Sequence, residues 1–395
     1  MTDASDATGP LAGVKILDLS RILAGPTCTQ LLGDLGATVL KVENPGTKGD
    51  DTRQWGPPYV KDGAKDTDLS AYFMCANRNK LSVAIDIATQ EGQAQVRRLA
   101  GLADILIENF KPDGLKKYGL DHASLTRAHP KLVYCSISGF GQTGPNRDKP
   151  GYDLMAQGYG GIMSLTGAAD GQPMKVGVGI ADVMCGMYAT VGILAALRHA
   201  EATGEGQHID VALVDSQIAW TINEGVNTRL SGTPPVRRGN DHPNIVPYGV
   251  YETSDGHVIV AVGNDSQFAR FVHLFGLTEL ADDARFATNP ARLANRDALA
   301  EHLVPALRGH STAEITTRME AAKVPVGPVQ TLPQVFETEQ ARARGMVLDM
   351  EADGLALPLL GNPLNLSRTP VTYRHAPPRF GADSARLDQD DPFAP

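Results

Sequence analysis

The chain has 395 residues, enough for about two or three domains, and its 42% hydrophobic and 21% charged content is that of a water-soluble globular protein. A net charge of −9 excludes a general nucleic-acid binder, which needs a basic footprint to displace counterions. The four cysteines, Cys28, Cys75, Cys135 and Cys185, lie far apart with no C-x-x-C, which argues against a disulfide framework or zinc site and for a reducing, cytoplasmic setting.

The opening "MTDASDATGP" is polar and acidic, with no apolar stretch, and so is not read as a signal peptide. "GVKILDLS" (Gly13–Ser20) reads as a buried strand. "AGPTCTQLLGDLG" (Ala24–Gly36) follows as a helix, with Pro26 in its first turn and Gly36 as its stop, and "TVLKVE" (Thr38–Glu43) is the next strand. Together they predict a βαβ unit with parallel strands. The alternation continues through helical Thr89–Leu102, strand-like Ala103–Phe110, strand-like Lys131–Gly141 and an apolar helix ending near Ala202. "GEGQHIDVALVDSQIAW" adds one more strand and the start of a helix. Residues 1–220 therefore read as an open α/β sheet covered on both faces.

The pattern changes after Trp220. A loop rich in Pro, Gly and Asn (Gly232–Gly249) leads to a hairpin signal around Ser254-Asp255-Gly256, then to amphipathic helices ending near Ala322. Residues 221–325 are expected to form a smaller α+β domain. Residues 326–395 carry short strands and a tail expected to be mobile at its end.

Familiar site motifs are missing. The turn after the first strand, "SRILAGP", lacks G-x-G-x-x-G, so Glu43 alone does not make a dinucleotide site. There is no G-K-[ST] loop, no H-E-x-x-H and no G-x-S-x-G elbow, and His208 and His257 beside strands read as structural. What stands out is "VGVGIADVMCGM" (Val176–Met187), whose single charge is Asp182. Val176–Leu197 is the only membrane-length apolar run, and a central Asp argues that it is a buried segment rather than a span. A lone carboxylate there is costly to desolvate. Two readings fit it: a helix N-cap, or a carboxylate kept partly dry to attack an activated acyl carbon.

Several segments in order, "PLAGVKILDLSRILAGPTCTQLLGDLGATVLKVENPGTKGDDTR", "NRNKLSVAIDI", "ADILIENFKPDGL", "SGFGQTGP", "GYDLMAQGYGGIMSLTG" and "TGEGQHIDVALVDS", resemble the class III CoA-transferases, the group of formyl-CoA and carnitine CoA-transferases. Within it, "RRGNDHPNIVPYG", "GDDTRQWGPPYV" and "VAVGNDSQF" look most like the succinyl-CoA:glutarate (dicarboxylate) CoA-transferases. The resemblance implies a Rossmann-like large domain built from both chain ends, so that residues 326–395 return to it, with the smaller domain between. It also implies an interlocked, ring-like homodimer. The implied activity moves CoA from an acyl-CoA to a carboxylic acid, with acyl-CoA as a substrate, no tightly bound cofactor, no metal, and neither a membrane nor a nucleic acid as partner.

By the same resemblance Asp182 is the nucleophile, carrying an aspartyl anhydride and then an aspartyl-CoA thioester. CoA contacts are expected from Arg21, Ile22, Leu23, Ala24, Asn109, Phe110, Lys117 and Tyr118, with Lys111 and Lys116 in the same basic cluster. Asn44 stands where some relatives carry a nucleotide-binding Arg, and Lys117 or Lys149 could compensate. Arg53, in a turn-rich loop, is the first choice among Arg53, Arg78, Arg237 and Arg238 to hold a second substrate carboxylate. Tyr152 and Gln157 are expected to line the acid pocket. The alternatives are a racemase-like enolising enzyme and a non-catalytic CoA binder. The racemases pair the Asp with a His at the position of Tyr152, and a phenol is a poor base near neutral pH.

Overall fold

The computed structural model describes residues 8–394. Met1–Ala7, where the stretch read as no signal peptide begins, and Pro395 lie outside the described residues. Six strands form one parallel sheet: β1 (Lys15–Asp18), β2 (Thr38–Glu43), β3 (Lys80–Ala84), β4 (Ile105–Glu108), β5 (Val133–Ser138) and β6 (His208–Ala212). Their spatial order is β3-β2-β1-β4-β5-β6. This is the doubly wound order, in which the chain reverses direction between β1 and β4 and leaves a crevice at the carboxyl ends of the strands.

Both sheet faces are buried, as a parallel sheet requires. Ile16, Val39, Ile105, Ile107, Val133 and Cys135 point to one core, where they meet Cys28 and Leu32 of α1 (Ala24–Asp34). Their alternate neighbours Leu17, Leu40, Leu106 and Tyr134 point to the other, against Val96 and Leu99 of α2 (Gln90–Leu102). The period of two along the four central strands thus fills two layers at once.

Three further helices frame the crevice: α3 (Asp153–Tyr159), α4 (Ile180–Thr203) and α5 (Leu213–Ala219). Helix α4 is long and apolar enough to cross a membrane by length and composition, and half of its apolar stretch is buried in the protein. Ala181, Cys185, Ala189 and Ile193 join the first core, whereas Met187, Tyr188 and Val191 are exposed. At Gly186 α4 crosses α1 so closely that a Cβ would sit 2.5 Å from the Ala24 carbonyl oxygen. Gly186→Ala is therefore expected to force the two helices apart, costing about 1–3 kcal/mol in a urea melt.

The chain divides into two compact units. One comprises the residues up to Met163, Lys175–Pro234 and Glu339 onward; the other comprises Ser164–Met174 and Pro235–Thr338. Against the 220 and 325 expected, two of the seams fall after 234 and 338, and Ser164–Met174 joins the second unit from outside that range; Val326–Pro328 pairs with β8 (His257–Ala261) inside the second unit, which carries the later seam past 325. There β7 (Tyr248–Glu252) and β8 form the expected antiparallel hairpin, and Phe268, Phe271, Leu299, Leu303 and Ile315 of the following helices cover it.

The tail expected to be mobile at its end is packed over its described residues. It docks on the first unit, where Phe393 is buried in the second core and Lys15 Nζ donates to Asp391 at 2.7 Å. It also covers the sheet edge. Ser82 N on β3 donates to Asp383 Oδ2 (2.8 Å), Ala84 N to Ser384 Oγ (3.0 Å), and Asp383 N returns a bond to Ser82 O (2.8 Å). An edge strand left bare would invite pairing with another chain.

Candidate active site

Asp182 is the third residue of α4 and is not its N-cap. Gly179 occupies the cap position and has no side chain to offer. The capping acceptor comes from another helix: Asp153 Oδ1 takes hydrogen bonds from Ala181 N (2.8 Å) and Asp182 N (3.2 Å). Asp153 is held in turn by Gln157, one helical turn on, whose Nε2 donates to Asp153 Oδ2 at 2.6 Å. Gln157 Oε1 accepts from Val176 N at 2.8 Å. The chain Val176–Gln157–Asp153 thus pins the glycine-rich turn and the mouth of α4 together.

This changes the electrostatics expected from the sequence. A helix N-terminus favours an ionised carboxylate, but here Asp153 takes those amide donors. Burial, with the Asp153 charge second, pushes the Asp182 carboxyl up to about 7. Only 8% of Asp182 is exposed. It is a half-dry, weakly solvated carboxylate, and its ionised form is correspondingly reactive. For any reaction at the ionised carboxylate, the expected rate climbs with pH along an acid limb to a plateau above about 7. Asp153→Asn keeps an acceptor for the helix amides and removes the like charge, so the acid limb should move to lower pH. A limb that stays in place would mean that Asp153 does not set the Asp182 titration.

Asp182 lies on one wall of a cavity of about 520 Å³ that collects the residues following every strand of the sheet. Arg21–Ala24 follow β1, Asn44 follows β2, Asp86–Ala88 follow β3, Asn109 and Phe110 follow β4, Gly139 follows β5, and Leu213 follows β6. The eight residues expected to touch CoA (Arg21, Ile22, Leu23, Ala24, Asn109, Phe110, Lys117 and Tyr118) all line this cleft with Asp182, and so does Tyr152. Lys111 and Lys149 add to the rim, whereas Lys116 does not line it. Asn44 spends its side-chain oxygen on Gly46 N (2.8 Å), shaping the turn after β2.

Two expected pocket residues are elsewhere. Gln157 is fully buried one step behind Asp182, holding Asp153. Arg53 is 2% exposed and committed to structure. Its Nε and one terminal nitrogen grip Glu43 (2.8 and 2.6 Å), another reaches Asp68 (3.1 Å), and its plane lies 3.7 Å over the Phe73 ring. Arg78 is likewise buried and paired with Asp34 at 2.5 Å. Arg237 donates to Gly171 O at 2.6 Å within the second unit. The sequence reading overlooked Asp153, although its place four residues before Gln157 puts both on one helix face.

A crevice that runs across all the strand ends of a doubly wound sheet is shaped for an extended nucleotide-bearing ligand. A partly dry carboxylate stands at its wall. The chain belongs to CoA-transferase family III, whose family model matches residues 11–384, and it is a CoA-transferase. It is 47% identical over 388 residues to the succinate–glutarate CoA-transferase of Agrobacterium fabrum, covering 98% of this chain and 97% of that one. It is 38% identical to the human succinyl-CoA:glutarate CoA-transferase, covering 96% of this chain and 85% of that protein. Among solved structures, a CAIB/BAIF family protein from Brucella suis superimposes with a TM-score of 0.88 at 45% identity, covering 96% of this chain and all of that one.

Proposed function

We propose that the protein moves CoA from succinyl-CoA to a dicarboxylate such as glutarate through covalent intermediates on Asp182. The ionised carboxylate attacks the donor thioester carbonyl, forming a mixed anhydride and expelling CoA thiolate. The thiolate attacks the aspartyl carbonyl of the anhydride, which releases succinate and leaves an aspartyl-CoA thioester. The acceptor carboxylate attacks that thioester and expels the thiolate again. The thiolate then takes the acceptor acyl group, freeing the Asp182 carboxylate.

The observation that carries this reading is the placement of Asp182: a carboxyl with a raised pKa on the wall of the cleft where the ends of all six strands converge. The named activities of the most similar relatives support the choice of donor and acceptor. Arg21, Asn109, Lys117 and Tyr118 are assigned to CoA, and Tyr152 to the acyl end.

The reading includes a homodimer. Exposed Met187, Tyr188, Val191, Ile218, Trp220, Ile222, Val226 and Leu230 are large apolar side chains that a second copy of the chain would cover in this reading. A reducing, cytoplasmic site of action fits the four unpaired thiols.

The test is an acceptor panel with succinyl-CoA: glutarate, malate, mesaconate, itaconate and oxalate. Transfer to glutarate or another dicarboxylate, with a CoA thioester adduct on Asp182 seen by intact mass spectrometry, is the expected result. Transfer to none of them, or turnover without any adduct on Asp182, would refute it.

A further inference from the structure

Ile22 forms part of the cleft wall, and its φ is +73°. A β-branched residue is a genuine outlier in that region, and such a conformation persists only where the surroundings over-determine it. Here they do. Ile22 N donates to both carboxylate oxygens of Asp50, each at 3.2 Å. The Asp50 side chain is fully buried and lies 3.0 Å from the Lys41 ammonium on β2. Lys41 Nζ donates to Ser20 O at 2.8 Å. Between these two anchors, Asn109 grips both sides of Arg21, accepting from its N (2.9 Å) and donating to its O (2.7 Å). Thr52 fixes Asp50 from behind, through its backbone N (3.0 Å) and Oγ1 (2.8 Å). Three successive residues of the loop after β1 are therefore tied to β2, to the turn after it, and to the end of β4.

We propose that Asp50, balanced by Lys41, is a positioning residue for acyl-CoA: it holds Ile22 in the left-handed conformation that sets residues 21–24 as the CoA wall of the cleft. A buried ion pair contributes little net stability compared with an apolar pair, and its use lies in specifying one arrangement. Asp50 does not line the main cleft but a smaller pocket of about 180 Å³ that shares Arg21, Asn44, Ile87 and Phe110 with it, so the Ile22→Gly background is what separates an effect through the Ile22 backbone from direct contact. The proposal rests on the reading that this cleft takes acyl-CoA.

The test measures kcat and KM for succinyl-CoA, and CoA affinity, in Asp50→Asn, Asp50→Glu, Ile22→Gly and the Asp50→Asn/Ile22→Gly double variant. Asp50→Asn should raise the acyl-CoA KM about tenfold while the acceptor KM stays within about twofold. Glycine adopts positive φ without penalty, so adding Asp50→Asn in the Ile22→Gly background should change KM by less than about threefold. A purely structural role for Asp50 predicts the same penalty in both backgrounds, and that result would overturn the proposal. Should Asp50→Asn not fold, Asp50→Glu, which keeps the charge beside Lys41 and displaces the acceptors, carries the same expectation and the same comparison. Lys117→Glu separates the two readings. If it leaves CoA affinity unchanged, the cleft assignment fails. If it weakens CoA binding while the Asp50 variants do not, the positioning role alone fails.

Discussion

Asp182→Asn is expected to abolish acyl exchange and, in alkaline solution, to make the protein more stable. The amide cannot form the anhydride, so kcat should fall by at least about 10³-fold. The stability change follows from the carboxyl's raised pKa. The folded protein holds a proton on Asp182 up to about pH 7, whereas the unfolded chain releases it near 3.8. Between those values the native state binds more protons than the unfolded one, so stability falls as pH rises through this window and is flat above it. At pH 8 the ionised, buried carboxylate costs as much as about 4 kcal/mol. Asn removes that cost, and the gain should shrink to near zero at pH 4. Melting curves of both proteins at pH 4, 6 and 8 check this. A variant with equal stability at pH 8 would show that Asp182 is solvated as an ordinary surface carboxylate. Retained transfer activity would remove Asp182 from the mechanism.

Arg53→Ala carries the largest expected loss of stability. The guanidinium sits under Phe73 and holds Glu43 with two bonds. Burial alone would raise the Glu43 carboxyl, but the Arg53 hydrogen bonds and charge, with Lys41 and Ser82, outweigh it and keep it below its ordinary value. Removing Arg53 leaves a buried carboxylate without its main partner, a change that costs about 3–5 kcal/mol. Asp68 also loses a partner, and Arg379 remains to hold it. Denaturant titration should show the midpoint collapse. If Arg53 instead held the distal carboxylate of a substrate, the variant would fold with parental stability and lose affinity for dicarboxylates over monocarboxylates. The two outcomes cannot be confused.

The alternating strands and helices of the first 220 residues were legible because each of the four central strands fills two cores. Ile16 and Leu17, or Ile105 and Leu106, face opposite layers, and such runs of apolar residues announce a parallel sheet. The cleft residues were legible for a related reason: once the strands are placed, Arg21–Ala24 and Asn109–Phe110 have to sit at their carboxyl ends. What the sequence hid was partnership across long separations. Arg53 looks like any loop arginine until Glu43, Asp68 and the carbonyl of Pro378 close around it. Asp182 looks like a cap until Asp153 arrives from another helix to do that work. The tail looks mobile because its polar residues carry no periodicity; Asp383, Ser384 and Phe393 find partners on β3 and beneath the sheet that no local pattern announces.

That docking has a consequence for how the molecule is made. The first strand and residues 391–393 belong together, with Phe393 and Leu17 in one buried cluster and Lys15 joined to Asp391. During synthesis residues 15–18 emerge long before residues 383–393, so this layer is completed only after the intervening unit has been free to fold. The unit that carries Asp182 is thus completed across a long stretch of chain, and one apolar layer stands partly open until its last partner arrives.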